Sequence, residues 1–290
     1  MNNVKSMGVI NITPDSFSDG NKYLTESSFS NQFNKLNTWA NWIDIGAEST
    51  APFNSKISQI QELERFEKVL FPFVARSKDP KTTLSIDTYK PEIFYEVYLF
   101  IKKYWPKTNI VFNDVSGCID DDLSHLLSDT ALEFDYIFSH NLVTKRDESS
   151  SHMDFAIKES SEQDLFLDDF FNYMTMGLAL LKPFNRKVYI DPCFGFSKSR
   201  EQNHILLAGF NSFLNKIPQE IPIVYGVSRK SFLRFPKSLD PKKVENQVIM
   251  DQMQAILFHK LINKNLNREI LLRVHESSSI ESALNINRIF

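Results

Sequence analysis

A chain of 290 residues, 42% apolar and 24% charged, carries enough nonpolar material for a sizeable core and enough charge to remain in solution. Its formal charge of −3 and pI of about 6.1 exclude the broad basic face that nucleic acid or an anionic membrane requires, while leaving room for a small cationic pocket. Cys118 and Cys193 are too few for a disulfide framework and too far apart for a metal-ligand pair, so both read as small buried residues in a reducing compartment. Met1–Ser6 is polar and no apolar run approaches the ~20 residues that span a bilayer, so a cytoplasmic location is expected.

Short β-branched or apolar runs recur along the chain with helical stretches between them, the pattern of βα units around a parallel sheet. The expected strands are Met7–Ile12, Trp42–Ile45, Thr83–Ile86, Ile110–Phe112, Tyr136–Phe138, Lys187–Ile190, Ile223–Tyr225 and Ile270–Val274. Between them, Ile57–Ala75 spaces Ile60, Leu63, Val69, Leu70 and Phe73 at helical intervals, and Pro91 suits the first turn of the following helix. Val244–Ile262 reads as a further helix. The polar stretch Lys145–Gln163 reads as a solvated insertion, either a mobile loop or a frayed helix start. Eight strands alternating with helices, at this length and with no linker, predict a single (β/α)8 TIM barrel domain over residues 1–290.

Each expected strand ends in hydrogen-bonding or charged groups. In chain order these are Asn11 with Thr13–Gly20, then Glu48-Ser49-Thr50, Asp87-Thr88, Asn113-Asp114, Ser139-His140-Asn141, Asp191-Pro192, Ser228-Arg229-Lys230 and Arg273-Val274-His275. A polar residue after one strand is ordinarily a turn or cap. Repeated around a barrel, such residues converge on the face where active sites are built. Asp87, Asn113 and Asp191 suit a flat ligand rich in N–H donors, whereas Arg229, Lys230, Arg273 and His275 suit a phosphate or diphosphate. The carboxylates are too scattered for a metal cage, but Asn11 offers one oxygen to a Mg²⁺ carried mainly by substrate phosphates and water. A polar heterocycle with an anionic leaving group and a phosphorylated sugar both fit this set.

The segments MGVINITPDSFSDG (7–20), IDIGAEST (43–50), SIDT (85–88), NDVSG (113–117), DPCFGFSK (191–198), GVSRKSF (226–232) and RVHE (273–276) occur in one order over nearly the whole chain. In this they closely resemble the dihydropteroate synthases. The resemblance implies a transferase that condenses 6-hydroxymethyl-7,8-dihydropterin diphosphate with p-aminobenzoate, using Mg²⁺ and acting as a homodimer. It places Asp87, Asn113, Asp191, Phe196, Gly226 and Lys230 at the pterin. Phe17, Ser18, Thr50, Pro52 and Ser228 fall at p-aminobenzoate, with Phe196 also near that pocket. Asn11, Arg273 and His275 fall at the diphosphate, and Asn11 at the metal. Asp87, Lys230, Arg273 and His275 carry the catalytic roles. The alternative is a diverged paralogue that binds pterins with weak or no synthase activity.

Three departures from the family pattern stand out. Ala51-Pro52-Phe53 replaces the usual Arg-Pro-Gly after EST, removing an anion contact worth about 1.5–3 kcal/mol unless Lys56, Arg146 or Lys198 substitutes for it. The segment after the fifth strand reads His140-Asn141-Leu142-Val143 where the family has His-Met-x-Gly, and the polar stretch replaces the family's following Thr-Pro segment. Cys193 and Ser197 stand where the family has glycines, narrowing the backbone's options.

Overall fold

The computed structural model describes residues 3–13, 25–50, 54–156, 163–228, 230–233, 244–264 and 267–289. Its strands are β1 (Val4–Asn11), β2 (Trp42–Gly46), β3 (Thr83–Asp87), β4 (Ile110–Asp114), β5 (Asp135–Ser139), β6 (Val188–Asp191), β7 (Ile223–Tyr225) and β8 (Ile270–Val274). They pair in sequence order, all parallel, and β8 closes on β1. The expected TIM barrel is the observed fold. The boundaries agree closely except that β1 reaches back to Val4, where it pairs with Ile270.

The helices are α1 (Glu26–Asn37), α2 (Gln59–Arg76), α3 (Pro91–Tyr104), α4 (Asp121–Ser128), α5 (Gln163–Leu181), α6 (Arg200–Lys216), α7 (Val244–Lys264) and α8 (Ser278–Ile289). Local chemistry sets several starts: the side chains of Thr25, Ser58, Asp120 and Ser199 cap the first-turn amides of α1, α2, α4 and α6, and Pro91 opens α3. In α2 the expected inward face holds at Val69, Leu70 and Phe73, but Ile60 in its first turn is exposed. No helix among the described residues is long and apolar enough to cross a membrane.

The two-residue period of the strands sorts the core. Ile43, Ile45, Leu84, Ile86, Phe112, Phe138, Ile190, Leu272 and Val274 face outward and pack under the helices. Alternate residues face the barrel axis, where Met7, Trp42, Val111, Ile137, Tyr189, Val224 and Leu271 form a separate apolar plug. Two residues further along the same strands, the inward positions become Asp44, Asn113, Ser139, Asp191 and Arg273, with Ser85 followed by Asp87 on β3. A nonpolar floor therefore lies beneath a polar ceiling at the carboxyl ends of the strands.

The polar stretch after β5 differs from its expectation as a solvated insertion. Arg146–Phe155 forms 3-10 turns, and Ser149, Ser150 and His152 within it are buried. Arg146 anchors it, donating from Nε to Asp120 at 2.6 Å and from Nη1 to Asp114 at 2.7 Å, with a further bond from Nη2 to the Cys118 carbonyl. Within the segment, Ser149 Oγ donates to the Arg146 carbonyl at 2.7 Å and His152 Nδ1 accepts the Ser197 amide at 3.2 Å, so these buried polar groups find partners inside the protein.

Candidate active site

The polar ceiling is organised around Arg273. From β8, its Nε donates to Asp44 Oδ2 at 2.7 Å, and Nη2 reaches Asp87 Oδ2 at 3.0 Å. Asp44 also accepts from Asn113 Nδ2 at 3.1 and 3.3 Å through its two oxygens. A carboxylate partner fixes which end of the Asn113 amide faces it, so Oδ1 points away. That buried oxygen has no hydrogen-bond partner among the described residues. Barrel register makes the cluster possible, because Gly46 pairs with Asp87 and Asp87 with Asn113.

Charge is strongly coupled at this ceiling. Burial, then the neighbouring Asp44, pushes the Asp87 carboxyl up to about 7, against the pull of Arg273. Burial also raises Asp191, opposed by the Cys193 amide and by Arg273, Lys230 and Lys198. Burial lowers the Lys230 ammonium, with Asp191 and Asp87 working to restore it. Burial disfavours the charge on Arg273, but Asp44 and Asp87 outweigh it and hold the guanidinium charged. Asp87, Asp191, Lys230 and Arg273 thus share one electrostatic environment at one end of the barrel.

The remaining expected residues gather around that centre. Asp191 ends β6 and accepts the Cys193 amide at 2.7 Å. Lys230 Nζ lies over the half-buried Phe196 ring, 5.0 Å from its centroid. Ser228 Oγ and His275 Nδ1 are 2.8 Å apart, joining the loops after β7 and β8. Gly226 follows β7 directly, and a Cβ there would lie 3.7 Å from Arg273 Cβ and Cδ. Asn11 ends β1, and Thr50 sits half-buried beyond β2. Phe17, Ser18 and Pro52 lie outside the described residues, as do Ala51 and Arg229.

Asp44 was not among the expected site residues, although it is fully buried and joins Arg273 to Asn113. Its signal was available: an acid in the middle of the apolar strand WIDIG, two positions from an inward tryptophan, has to meet a partner inside the barrel. Glu48, by contrast, braces the rim, accepting from Lys90 Nζ at 2.6 Å, the Ile57 amide at 3.0 Å and Tyr89 Oη at 3.1 Å.

Each of the three cations named as replacements for the missing arginine at position 51 already has a partner. Lys56 pairs with Asp147 at 3.1 Å, and Arg146 is held by Asp114 and Asp120. Buried Lys198 donates to the carbonyls of His140, Cys193 and Phe196 at 3.1, 3.1 and 2.9 Å. Cys193 and Ser197 stand in backbone conformations that suit the glycines they replace. They keep left-handed conformations, at φ 51° and 48°.

An apolar-floored barrel with acids, an amide and cations concentrated at its carboxyl rim defines a ligand-binding TIM barrel of the enzyme type. Residues 7–264 match the family described as pterin binding enzyme, and the chain belongs to that family. The dihydropteroate synthase of Streptococcus pyogenes is 32% identical over 233 residues, covering 79% of this chain and 76% of that protein. The mitochondrial folate synthesis bifunctional protein of Arabidopsis thaliana is 29% identical over 248 residues, covering 80% of this chain. The chain spans 41% of that plant protein's length. Among solved structures, Anaplasma phagocytophilum dihydropteroate synthase with bound 6-hydroxymethylpterin-monophosphate superposes with a TM-score of 0.75 at 22% identity, covering 99% of this chain and 100% of the other.

Proposed function

We propose that the chain is a dihydropteroate synthase, a transferase of folate synthesis that joins 6-hydroxymethyl-7,8-dihydropterin diphosphate to p-aminobenzoate and releases diphosphate. The observation that carries this reading is the placement of acceptors and cations around one centre. The open Asn113 Oδ1 and the carboxylates of Asp87 and Asp191 stand ready for ring N–H groups, within the electrostatic reach of Lys230 and Arg273.

In this assignment Asp87, Asn113, Asp191 and Lys230 hold the pterin, with Gly226 lining it. Arg273 turns Nε and Nη2 to the acids, which leaves Nη1 for the diphosphate beside His275 and Asn11. The C–O bond to diphosphate breaks with its electron pair leaving on oxygen. Asp44, Asp87 and Asp191 supply negative charge beside the cation left on the pterin methylene, and Arg273 faces the departing anion. The arylamine nitrogen then bonds to that carbon and releases its proton to solvent. No strong base is required because the amine attacks as the neutral species. Ser228, Thr50 and Phe196 line the arylamine side, the role that the family resemblance also gives to Phe17, Ser18 and Pro52.

Magnesium fits this donor set only as an ion carried by the diphosphate. No group of three or more His, Cys, Asp or Glu suited to a metal occurs among the described residues, and Asn11 supplies one neutral oxygen. Such an ion would neutralise charge on the leaving group. The proposal extends to a homodimer in the cytoplasm: Val248, Ile249 and Ile256 stand exposed on α7, which packs along α8, and Cys118 and Cys193 are unpaired thiols.

A second reading, a pterin-binding paralogue that condenses poorly, is favoured by one observation: Arg146 and Lys198, two of the cations that could stand in for the arginine lost at position 51, are held by buried partners. Diphosphate release measured with the pterin diphosphate, with and without p-aminobenzoate, separates the two. Dihydropteroate formed at steady state supports the synthase, and tight pterin binding without turnover supports the paralogue.

A further inference from the structure

His152 lies in the 3-10 segment of the polar stretch after β5, yet it is buried against the candidate site. Its ring stacks on Phe196 with centroids 4.3 Å apart and planes inclined by 28°. Its Nδ1 accepts the Ser197 amide at 3.2 Å, which fixes the neutral ring with its proton on Nε2. That Nε2 has no partner at hydrogen-bonding distance among the described residues, although the Thr50 backbone lies close enough to favour the protonated form. Burial first, then the charges of Lys230 and Lys198, hold the imidazole down at about 4, so it is neutral at physiological pH.

The segment carrying His152 is fastened to the loop after β6 by the hydroxyl that replaces a glycine. Ser197 Oγ lies 2.6 Å from Asn141 Oδ1 and 3.0 Å from the His152 carbonyl, and accepts the Leu142 amide at 3.2 Å. Phe196, one residue earlier, is therefore contacted by His152 while Lys230 Nζ lies over its ring. Such a ring has little freedom to change rotamer.

We propose that His152 is a positioning residue for the arylamine pocket: it fixes the Phe196 ring beside Lys230. The proposal rests on the synthase reading for the identity of the arylamine, but the placement of Phe196 does not depend on turnover. An aromatic wall held in advance lowers the ordering needed when the flat second substrate enters, which appears in KM and leaves the chemical step unchanged.

The test compares the parent with His152→Ala, which removes the ring, and His152→Phe, which keeps the stack and removes the Nδ1 acceptor. Crystal structures of all three report the Phe196 ring. Steady-state kinetics report KM for p-aminobenzoate and kcat, and calorimetry reports pterin affinity. In His152→Ala the ring is expected to leave its position and KM for p-aminobenzoate to rise about fivefold, the scale of one lost aromatic pair, with kcat and pterin affinity within about twofold of the parent. His152→Phe is expected to restore both the ring and KM. An unmoved Phe196 in the alanine variant overturns the proposal whatever the kinetics. So does a parallel loss of arylamine and pterin affinity, which marks a support of the fold alone. If His152→Ala does not fold, the phenylalanine variant decides, and a raised KM with the ring in place overturns the role given to stacking. A parent without turnover refutes the synthase reading, and the position of Phe196 still settles the role of His152.

Discussion

Replacing Arg273 by Gln would leave Asp44 and Asp87 facing each other with no cation between them. In the parent, Arg273 holds the two acids at 2.7 and 3.0 Å, and Asp44 is fully buried. Removing one partner from a buried ionic cluster costs about 3–5 kcal/mol, because the charges left behind have no compensation. The loss depends on pH. The Asp87 carboxyl sits at about 7 in the folded protein through burial and the charge of Asp44, well above its ordinary 3.8. The native state therefore holds a proton that the unfolded chain has already released, and stability falls as pH rises from about 4 towards about 7. Without Arg273, which works to lower it, the Asp87 pKa climbs further, and each added unit removes about 1.4 kcal/mol at pH values above it.

The measurement is chemical unfolding of the parent, Arg273→Gln, Asp44→Asn and the double variant near pH 5.5 and near pH 8.5. Arg273→Gln should be destabilised much more at the higher pH, where both acids must ionise. Asp44→Asn removes the charge that raises Asp87, so it should flatten the pH dependence and make the loss of Arg273 less costly, giving a coupling above about 1 kcal/mol in the cycle. Equal losses at both pH values, or additive single-variant effects, would refute the description of these residues as one ionic cluster.

Lys230→Met should lower turnover by about a hundredfold or more while unfolding stays close to that of the parent, since Lys230 makes no ion pair among the described residues. Steady-state assay and thermal melting check both halves, and near-normal rates defeat the site assignment. Cys193→Gly should be neutral within about 1 kcal/mol, because relief of its positive φ offsets the lost burial of a small side chain. Ser197→Gly relieves the same strain but should destabilise by about 1–2 kcal/mol through its lost hydroxyl bonds, as denaturant midpoints would show.

The barrel was legible because parallel strands covered on both faces read as continuous apolar runs, and because hydrogen-bonding residues followed every one of them. The same logic pointed to Asp87, Asn113, Asp191 and Arg273; hydrogen bonds through Asp44 and Arg273 join Asp87 and Asn113, and Asp191 takes the inward position at the end of β6. Asp44 escaped because attention to strand ends passes over a charge in mid-strand, where only the inward parity of Trp42 reveals its direction. In the polar stretch after β5, Ser149, Ser150 and His152 are buried against expectation for a different reason. Composition reports that residues such as Ser149, Ser150 and His152 favour water, not that Arg146, Ser197 and the local backbone supply equivalent partners within the protein.

The departures from the family pattern that the structure describes fall at one place, and their energetics are connected. Holding Cys193 and Ser197 at positive φ costs about 1–2 kcal/mol per residue relative to glycine. At Ser197 the substitution also introduces a hydroxyl whose single proton is shared between Asn141 Oδ1 and the His152 carbonyl and whose oxygen accepts the Leu142 amide, contributing about 1 kcal/mol for each of the donated and accepted bonds. A glycine could not make those bonds, and the usual motif after the fifth strand would not present the same partners. The strained serine, Asn141 and the buried 3-10 segment therefore act as one compensated unit against the loop that carries Phe196. Changing any one of them back to the family residue alone should weaken the site, whereas exchanging all of them together should weaken it less.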